Sequence, residues 1–467
     1  MLLALMHLAS GCTKFSSDHV ASVAASEVTV TAPTKNADAS NSTGFSISGQ
    51  CSSDVQVTVN SVTQTFTCSS GEWSGTLNLS VWPDGALTVT VTSSTDASQT
   101  ATLDVTKSAS PVCAGGPTVF STNMSARYVL GQPDFVQNSV NQGGLSPSAT
   151  TLNNPIGIIV NNGKLYVADA GNNRVLVYNS LPTANGVAAN AVIGQVNFGS
   201  AATGTSSTLM NGIQAIAANG LYLAVTEWAN ARVSLWPLLN PTAAQYYWGQ
   251  PDSTSNAVNN GGIGPASLGA NAGIAAANGK FYVGDATNSR VLAFNGSALS
   301  TGQAALNVFG QTDFISSAVG SGLTGFGAPY SVSTDGTHLA IMDNNLERVL
   351  IYNSMPTMNG QPADVAWGGF GITSTGLNNP VGVSIGGGKL FIADRSSDRI
   401  LGFNSIPTSA AQPADFVLGQ ADFTTADNNQ CNCATAAANT LWGVHHVYWD
   451  GCRLYVTDKQ NNRVLVY

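Results

Sequence analysis

Six carboxylates in this chain are each followed, five residues later, by an arginine: Asp169/Arg174, Glu227/Arg232, Asp285/Arg290, Asp343/Arg348, Asp394/Arg399 and Asp458/Arg463. A carboxylate and a guanidinium brought together by a tight turn can pair in a fork of parallel hydrogen bonds. Six copies of one pair are expected of a structural clamp, because a catalytic centre breaks the symmetry of a repeat; no catalytic residue is assigned among them. Other candidates for chemistry are few. His445 and His446 stand side by side near the C-terminus, and seven cysteines occur at positions 12, 51, 68, 113, 431, 433 and 452. With Cys12 set aside, six remain, enough for three disulfides in an oxidising compartment. Cys51 and Cys68 flank a hairpin pattern and are expected to form a structural bridge. Cys431 and Cys433 either pair with Cys113 and Cys452 or close on each other, and a Cys113–Cys452 bond would lock the C-terminal domain. The C-x-C string lacks the second cysteine pair or nearby histidine that a metal site needs.

The acid/arginine pairs belong to a longer unit. Residues 152–174 read L-N-N-P-I-G-I-I-V-N-N-G-K-L-Y-V-A-D-A-G-N-N-R, with the opening apolar residue 17 positions before the acid. Met210, Leu268, Phe326, Leu377 and Leu441 open the other units at the same spacing. A second motif, a strand ending in Gly-Gln, recurs at Tyr128–Phe135, Val192–Phe198, Tyr247–Asp252, Val308–Phe314 and Val417–Phe423, with a degenerate copy at Ala366–Gly371. Each unit therefore parses into four strands, and such sheets bury both faces by stacking radially. The first Gly-Gln strand precedes the first unit, and the sequence given stops after the sixth third strand. The spacing predicts an all-β fold, a six-bladed β-propeller over 126–467. Its ring closes with one strand from the front and three from the back.

The strings D-A-G-N-N-R-V, D-A-T-N-S-R-V and D-K-Q-N-N-R-V resemble the NHL-repeat propeller family. That resemblance implies a central channel lined by the innermost strands, and in the family's lyases and in lactonase-like propellers a metal on the axis. Aligned on the repeat, His445 matches Ile156, Gln214, Ala272, Tyr330 and Val381, and His446 matches Gly157, Ala215, Gly273, Ser331 and Gly382. His445, His446, Tyr330 and Gln214 are thus the candidate ligand-binding residues. Side chains alternate along a strand, so only one of the two histidines is expected to face the channel. His338 aligns instead with Lys164, Lys280 and Lys389. One imidazole falls short of the ligands zinc needs; no cofactor is expected, the alternative being one Zn or Ca ion on the axis.

Ahead of the repeats, residues 28–107 alternate in short runs such as V-Q-V-T-V and L-T-V-T-V-T, the pattern of a β-sandwich, and resemble bacterial Ig-like modules. Trp73 is expected in its core, and residues 108–125 are Pro/Gly-rich and read as a linker. Residues 1–11 with Cys12 resemble a lipoprotein signal, implying lipidation at Cys12 and a tether over 12–27. The formal charge of −9 and the 9% of charged residues disfavour nucleic acid and a polybasic membrane contact. Two functional readings stand: an extracytoplasmic, surface-tethered or secreted protein that binds protein or glycan through propeller loops, touching membrane only through the Cys12 anchor, and a metal-dependent lyase or lactonase-like enzyme.

Overall fold

The computed structural model describes residues 28–29, 45–59, 62–77, 85–107 and 118–467. The signal segment, the tether with Cys12, and Cys113 lie outside them. By backbone contacts the chain divides into two compact units, one holding Ser46–Leu77 and Ala86–Val105 and the other holding Thr106–Tyr467. No helix among the described residues is long and apolar enough to cross a membrane.

In the first unit the period-2 runs become strands. Val62–Phe66, Val55–Val59, Gly85–Ser93 and Thr100–Lys107 form one antiparallel sheet in that spatial order, and Phe45–Gln50 pairs with Glu72–Leu77 in another. Alternation puts Val55, Val57, Val59, Val89 and Val91 inside, together with Trp73, whose indole donates to the Thr29 carbonyl at 3.1 Å. Cys51 and Cys68 are joined in a disulfide that ties the ends of the Val55–Phe66 hairpin. Such a bond persists where thiols are not kept reduced, which points to a compartment outside the cytosol.

The second unit is a six-bladed β-propeller. From the axis outward, blade 1 contains Pro155–Asn161, Lys164–Asp169, Arg174–Tyr178 and Ala191–Ile193. Blades 2 to 5 repeat this order over 213–248, 271–309, 329–368 and 380–418. In blade 6, Val444–Trp449, Leu454–Asp458 and Arg463–Val466 are completed by Tyr128–Leu130, in the register Val464↔Leu130, Leu465↔Val129 and Val466↔Tyr128. The innermost strands of neighbouring blades touch in a closed circle, blade 6 against blade 1 included.

Apolar side chains of facing blades make the core between them. Tyr166, Val175 and Val177 of blade 1, for example, pack on Leu223, Val225 and Trp236 of blade 2. The Gly-Gln glycines Gly131, Gly194, Gly249, Gly310 and Gly419 all have φ between +84° and +88°, a conformation that costs a side chain dearly. A Cβ there would also strike the apolar residue opening the next unit, as at Gly419, where Leu441 Cδ1 would lie 2.4 Å away.

Residues 118–125 depart from the linker reading. Thr118 donates through its amide to the Cys452 carbonyl at 3.0 Å, and Asn123 through its amide to Val417 at 2.8 Å. Phe120 stacks on Phe416 and meets Phe391 and Trp449 edge-on. The Pro/Gly composition concealed one aromatic side chain that fills the seam between blades 5 and 6.

Candidate functional site

Each acid/arginine pair sits at the turn between the second and third strands, where the two residues are register partners, as in Asp169↔Arg174. Arg174 Nε donates to Asp169 Oδ2 at 2.7 Å, with both side chains fully buried. The same carboxylate accepts Asn172 Nδ2 at 2.7 Å and the Asn153 amide at 2.7 Å. Arg174 also donates to the carbonyls of Phe198, Ser148 and Thr151. The pair therefore holds the loops that enter and leave the blade. Burial pushes Asp169, Glu227, Asp285 and Asp458 above the usual carboxylate range, against the opposing pull of the arginine in each pair.

The expected fork needs correction in five of the six pairs. Only Arg232 presents two nitrogens to two oxygens: Nε donates to Glu227 Oε1 at 3.1 Å, and Nη2 lies 3.1 Å from Oε2. The extra methylene of Glu227 supplies the reach, and Tyr247 covers the guanidinium at 4.9 Å. Arg290 follows Arg174 instead. Its Nε alone donates to Asp285, at 2.8 Å, while its Nη1 bonds the Phe314 carbonyl and its Nη2 the carbonyls of Gly264 and Ser267. The shorter aspartate stays at the turn, so the outer nitrogens turn to the loop backbone. Arg232 likewise sends Nη1 to Ser253 and Nη2 to Ser206 and Leu209. Arg174, Arg232, Arg290, Arg399 and Arg463 are all fully buried. None is open to a ligand from solution, and they act as clamps.

Blade 4 is looser. Arg348 meets Asp343 at 3.0 Å with 11% of its side chain exposed, and it reaches only Gly322 and Gly325. The degenerate Gly-Gln copy there supplies no outer carbonyl. In the intact copies the glutamine is itself a fastener. Gln250 donates to Ala231 and Ala257, Gln311 to Ser289 and Ala318, and Gln420 to Asp398 and Asp427. The constant seven-residue reach of each glutamine to the second carbonyl was present in the sequence, but a buried amide's partners are not.

The loops that follow the Gly-Gln strands share the face of the acid/arginine turns, because both lie where third strands begin and fourth strands end. At the centre of that face the sixfold symmetry fails. Gln214, Tyr330 and His445 occupy one repeat position on the alternate blades 2, 4 and 6, where the others carry Ile156, Ala272 and Val381. Tyr330 reaches across the axis. Its hydroxyl lies 3.4 Å from Gln214 Oε1, its ring centroid 6.3 Å from that of Trp228 and 5.9 Å from that of His445. His445 is 3% exposed, and its Nδ1 has no hydrogen-bond partner. Burial pushes its pKa well below the usual imidazole value, helped by the nearby charges of Lys459 and Arg395.

The expectation that alternation turns just one histidine to the channel needs correction. Each innermost strand carries a β-bulge near its start, and in blade 6 the register breaks between Val444 and Val447, spanning both histidines. His445 joins the mouth above. His446 occupies the seam position where neighbouring innermost strands close in; at Gly273, a Cβ would come within 2.6 Å of Ser331 Cα. His446 also borders a cavity of about 100 Å³ further down the axis, lined by innermost-strand residues of all six blades, including Asn161, Ser333 and Thr334. Desolvation lowers its pKa to about 4.

His338 pairs with Asp335 at 3.0 Å, at the hairpin end of its blade and away from the mouth. Among the described residues no three His, Cys, Asp or Glu side chains converge as a metal site. Around His445 stand one amide and one phenol, with the cations Arg395 and Lys459 nearby, too few ligands for the three or four that zinc takes or the six to eight oxygens that calcium takes. Cys431 and Cys433 are joined to each other, the local alternative. Cys452 is disulfide-bonded, while its expected partner Cys113 lies outside the described residues.

The closed ring of six four-stranded antiparallel sheets defines the class, a β-propeller. A family model described as NHL repeat matches residues 152–178. No curated protein matches the chain. Among solved structures, a Bacteroides thetaiotaomicron protein of unknown function is 12% identical over 97% of this chain and 100% of its own, with a TM-score of 0.43. A Bacteroides ovatus auxiliary nutrient binding protein is 11% identical over 91% of this chain and 94% of its own, at 0.40. Staphylococcus aureus virginiamycin B lyase is 12% identical over 69% of this chain and 86% of its own, at 0.35. Likenesses at this level say nothing of function.

Proposed function

We propose that this protein is an extracytoplasmic binding module whose propeller presents its loop-bearing face to protein or glycan. The N-terminal sandwich serves as an Ig-like spacer, and a lipid on Cys12 is the tether. One observation carries the reading: Gln214, Tyr330 and His445 break the repeat at the axis, on the face where the variable loops gather. Rigid scaffolds concentrate recognition on such loops. Exposed Leu145, Ile315 and Phe370 on that face add apolar contact area. The lyase or lactonase alternative loses ground because the donors around His445 do not suit its metal.

The test is to probe glycan and cell-envelope protein arrays with the full chain, alongside Tyr330→Ala. Selective capture that weakens in the variant supports the reading. Absence of capture from either array, or capture indifferent to Tyr330 and to Ile315→Asp on the loop face, rejects it. Metabolic labelling with a fatty acid, compared with Cys12→Ser, tests the tether.

A further inference from the structure

The residue after each acid lies at the rim of the axial mouth, since the acid is register partner to the first residue of the innermost strand, as in Asp394↔Pro380 and Asp458↔Val444. Around the ring that position holds Ala170, Trp228, Ala286, Asn344, Arg395 and Lys459. Two cations therefore stand on adjacent blades, in a chain whose net charge is −9. The flanking acids Asp394 and Asp458 are each taken by their own arginines, Arg399 and Arg463. Among the described residues, no carboxylate lies within ion-pair distance of Arg395 or Lys459. Like charges held together without a counterion raise the local potential and favour an incoming anion.

The remaining neighbours narrow the ligand. Trp228, 39% exposed, stands beside Tyr330, and the two rings form an aromatic wall that runs from blade 2 to within reach of the Arg395 charge. His445 adds a buried, unpartnered Nδ1, and Gln214 adds an amide. Aromatic faces suit the C–H face of a pyranose ring, and the imidazole and amide suit its hydroxyls, whereas the guanidinium and ammonium suit a carboxylate.

We propose that the axial mouth binds an acidic sugar residue, its carboxylate held between Arg395 and Lys459 and its ring laid against Trp228 and Tyr330. This rests on the binding-module reading and specifies its ligand. Desolvation and the nearby Arg395 charge both push Lys459 below its usual pKa, a strain that a bound carboxylate relieves.

Calorimetric titration of the full chain uses oligogalacturonate, a glucuronate-containing tetrasaccharide and sialyllactose, each paired with its uncharged methyl ester, with tetraglutamate as a non-sugar anion. At least one acidic sugar is expected to bind, with the ester and tetraglutamate weaker by about tenfold or more. Arg395→Gln and Lys459→Gln are each expected to weaken the acid by about tenfold and to leave the ester unchanged. These rim residues make no clamp contact, so folding can be verified independently by thermal melting. Failure of every acidic sugar to bind, equal binding of acid and ester, or indifference to both substitutions overturns the proposal. Tetraglutamate binding as well as the sugars also overturns it. Capture of a neutral glycan or a protein, lost in Tyr330→Ala, would sink the acidic-sugar assignment and leave the binding-module reading standing.

Discussion

Arg463, in the last strand, donates through Nη1 to the carbonyl of Phe135, 328 residues earlier, at 2.6 Å. It also donates to Ala437 and Thr440 and pairs with Asp458 at 2.7 Å. One guanidinium thus joins the front of the propeller to its end, at the seam where only the short Tyr128–Leu130 strand completes the blade.

Breaking that hub should be expensive. Arg463→Met leaves the Asp458 carboxylate buried without its cation, which typically costs about 3–5 kcal/mol. Arg348→Met should cost distinctly less, because that side chain is partly exposed and has no partner across the ring closure. Denaturant unfolding of the two variants measures the difference; equal losses would refute the special role of the seam.

Asp398, the residue before Arg399, is bonded by the Gly443 amide across the blade 5–6 seam. Burial raises its pKa from 3.8 to about 7, and the nearby Asp458 and Asp394 add to the rise. Between those values the folded protein keeps a proton that the unfolded chain has released, so this group's contribution to stability falls as pH rises from 3.8 to about 7 and is flat above. Asn173 and Asn462 stand at the equivalent position in blades 1 and 6, and Asn462 Oδ1 accepts the Asn154 amide in the same way. Asp398→Asn should therefore raise the melting temperature at pH 8, with the gain shrinking toward pH 4. Melting curves of variant and parent across that range decide it, since their difference cancels the other titrations.

His445 and His446 should both remain neutral through the range in which ordinary histidines titrate, desolvation being the main cause for each. The linkage runs opposite to that of Asp398. As pH falls through 6.5 the unfolded chain takes up protons that these folded imidazoles refuse, and their contribution to stability declines. Imidazole proton resonances followed by NMR should show no midpoint between pH 6 and 7 for either; such a midpoint for His445 would mean that the mouth is wetter than described.

Non-reducing peptide mapping should recover a peptide joining Cys113 to Cys452. Thr118, five residues beyond Cys113, is bonded through both its amide and its hydroxyl to the Cys452 carbonyl, each at 3.0 Å. Recovery of both as free thiols would remove the covalent lock and leave the ring closed by strand pairing and by hydrogen bonds such as that of Arg463 to Phe135.

The sequence by itself determined the blade count, the four-strand parse and the offset closure, because invariant spacing between acid, arginine and glycine is a local record of a repeated hairpin. It also marked His445, Tyr330 and Gln214 as the odd members of an otherwise small or apolar set. It could not show that Arg290 and its counterparts spend their outer nitrogens on loop carbonyls while Arg232 alone grips both oxygens of its acid. Nor could it place Tyr330 across the axis against blades 2 and 6, or bring Arg395 and Lys459 together at an uncompensated rim. Those last relations join residues on different blades, and only closure of the ring brings them within reach. The bulge spanning His445 and His446 was hidden for a related reason: alternation can be read from residue order, but a register shift depends on how the strand pairs with its neighbour.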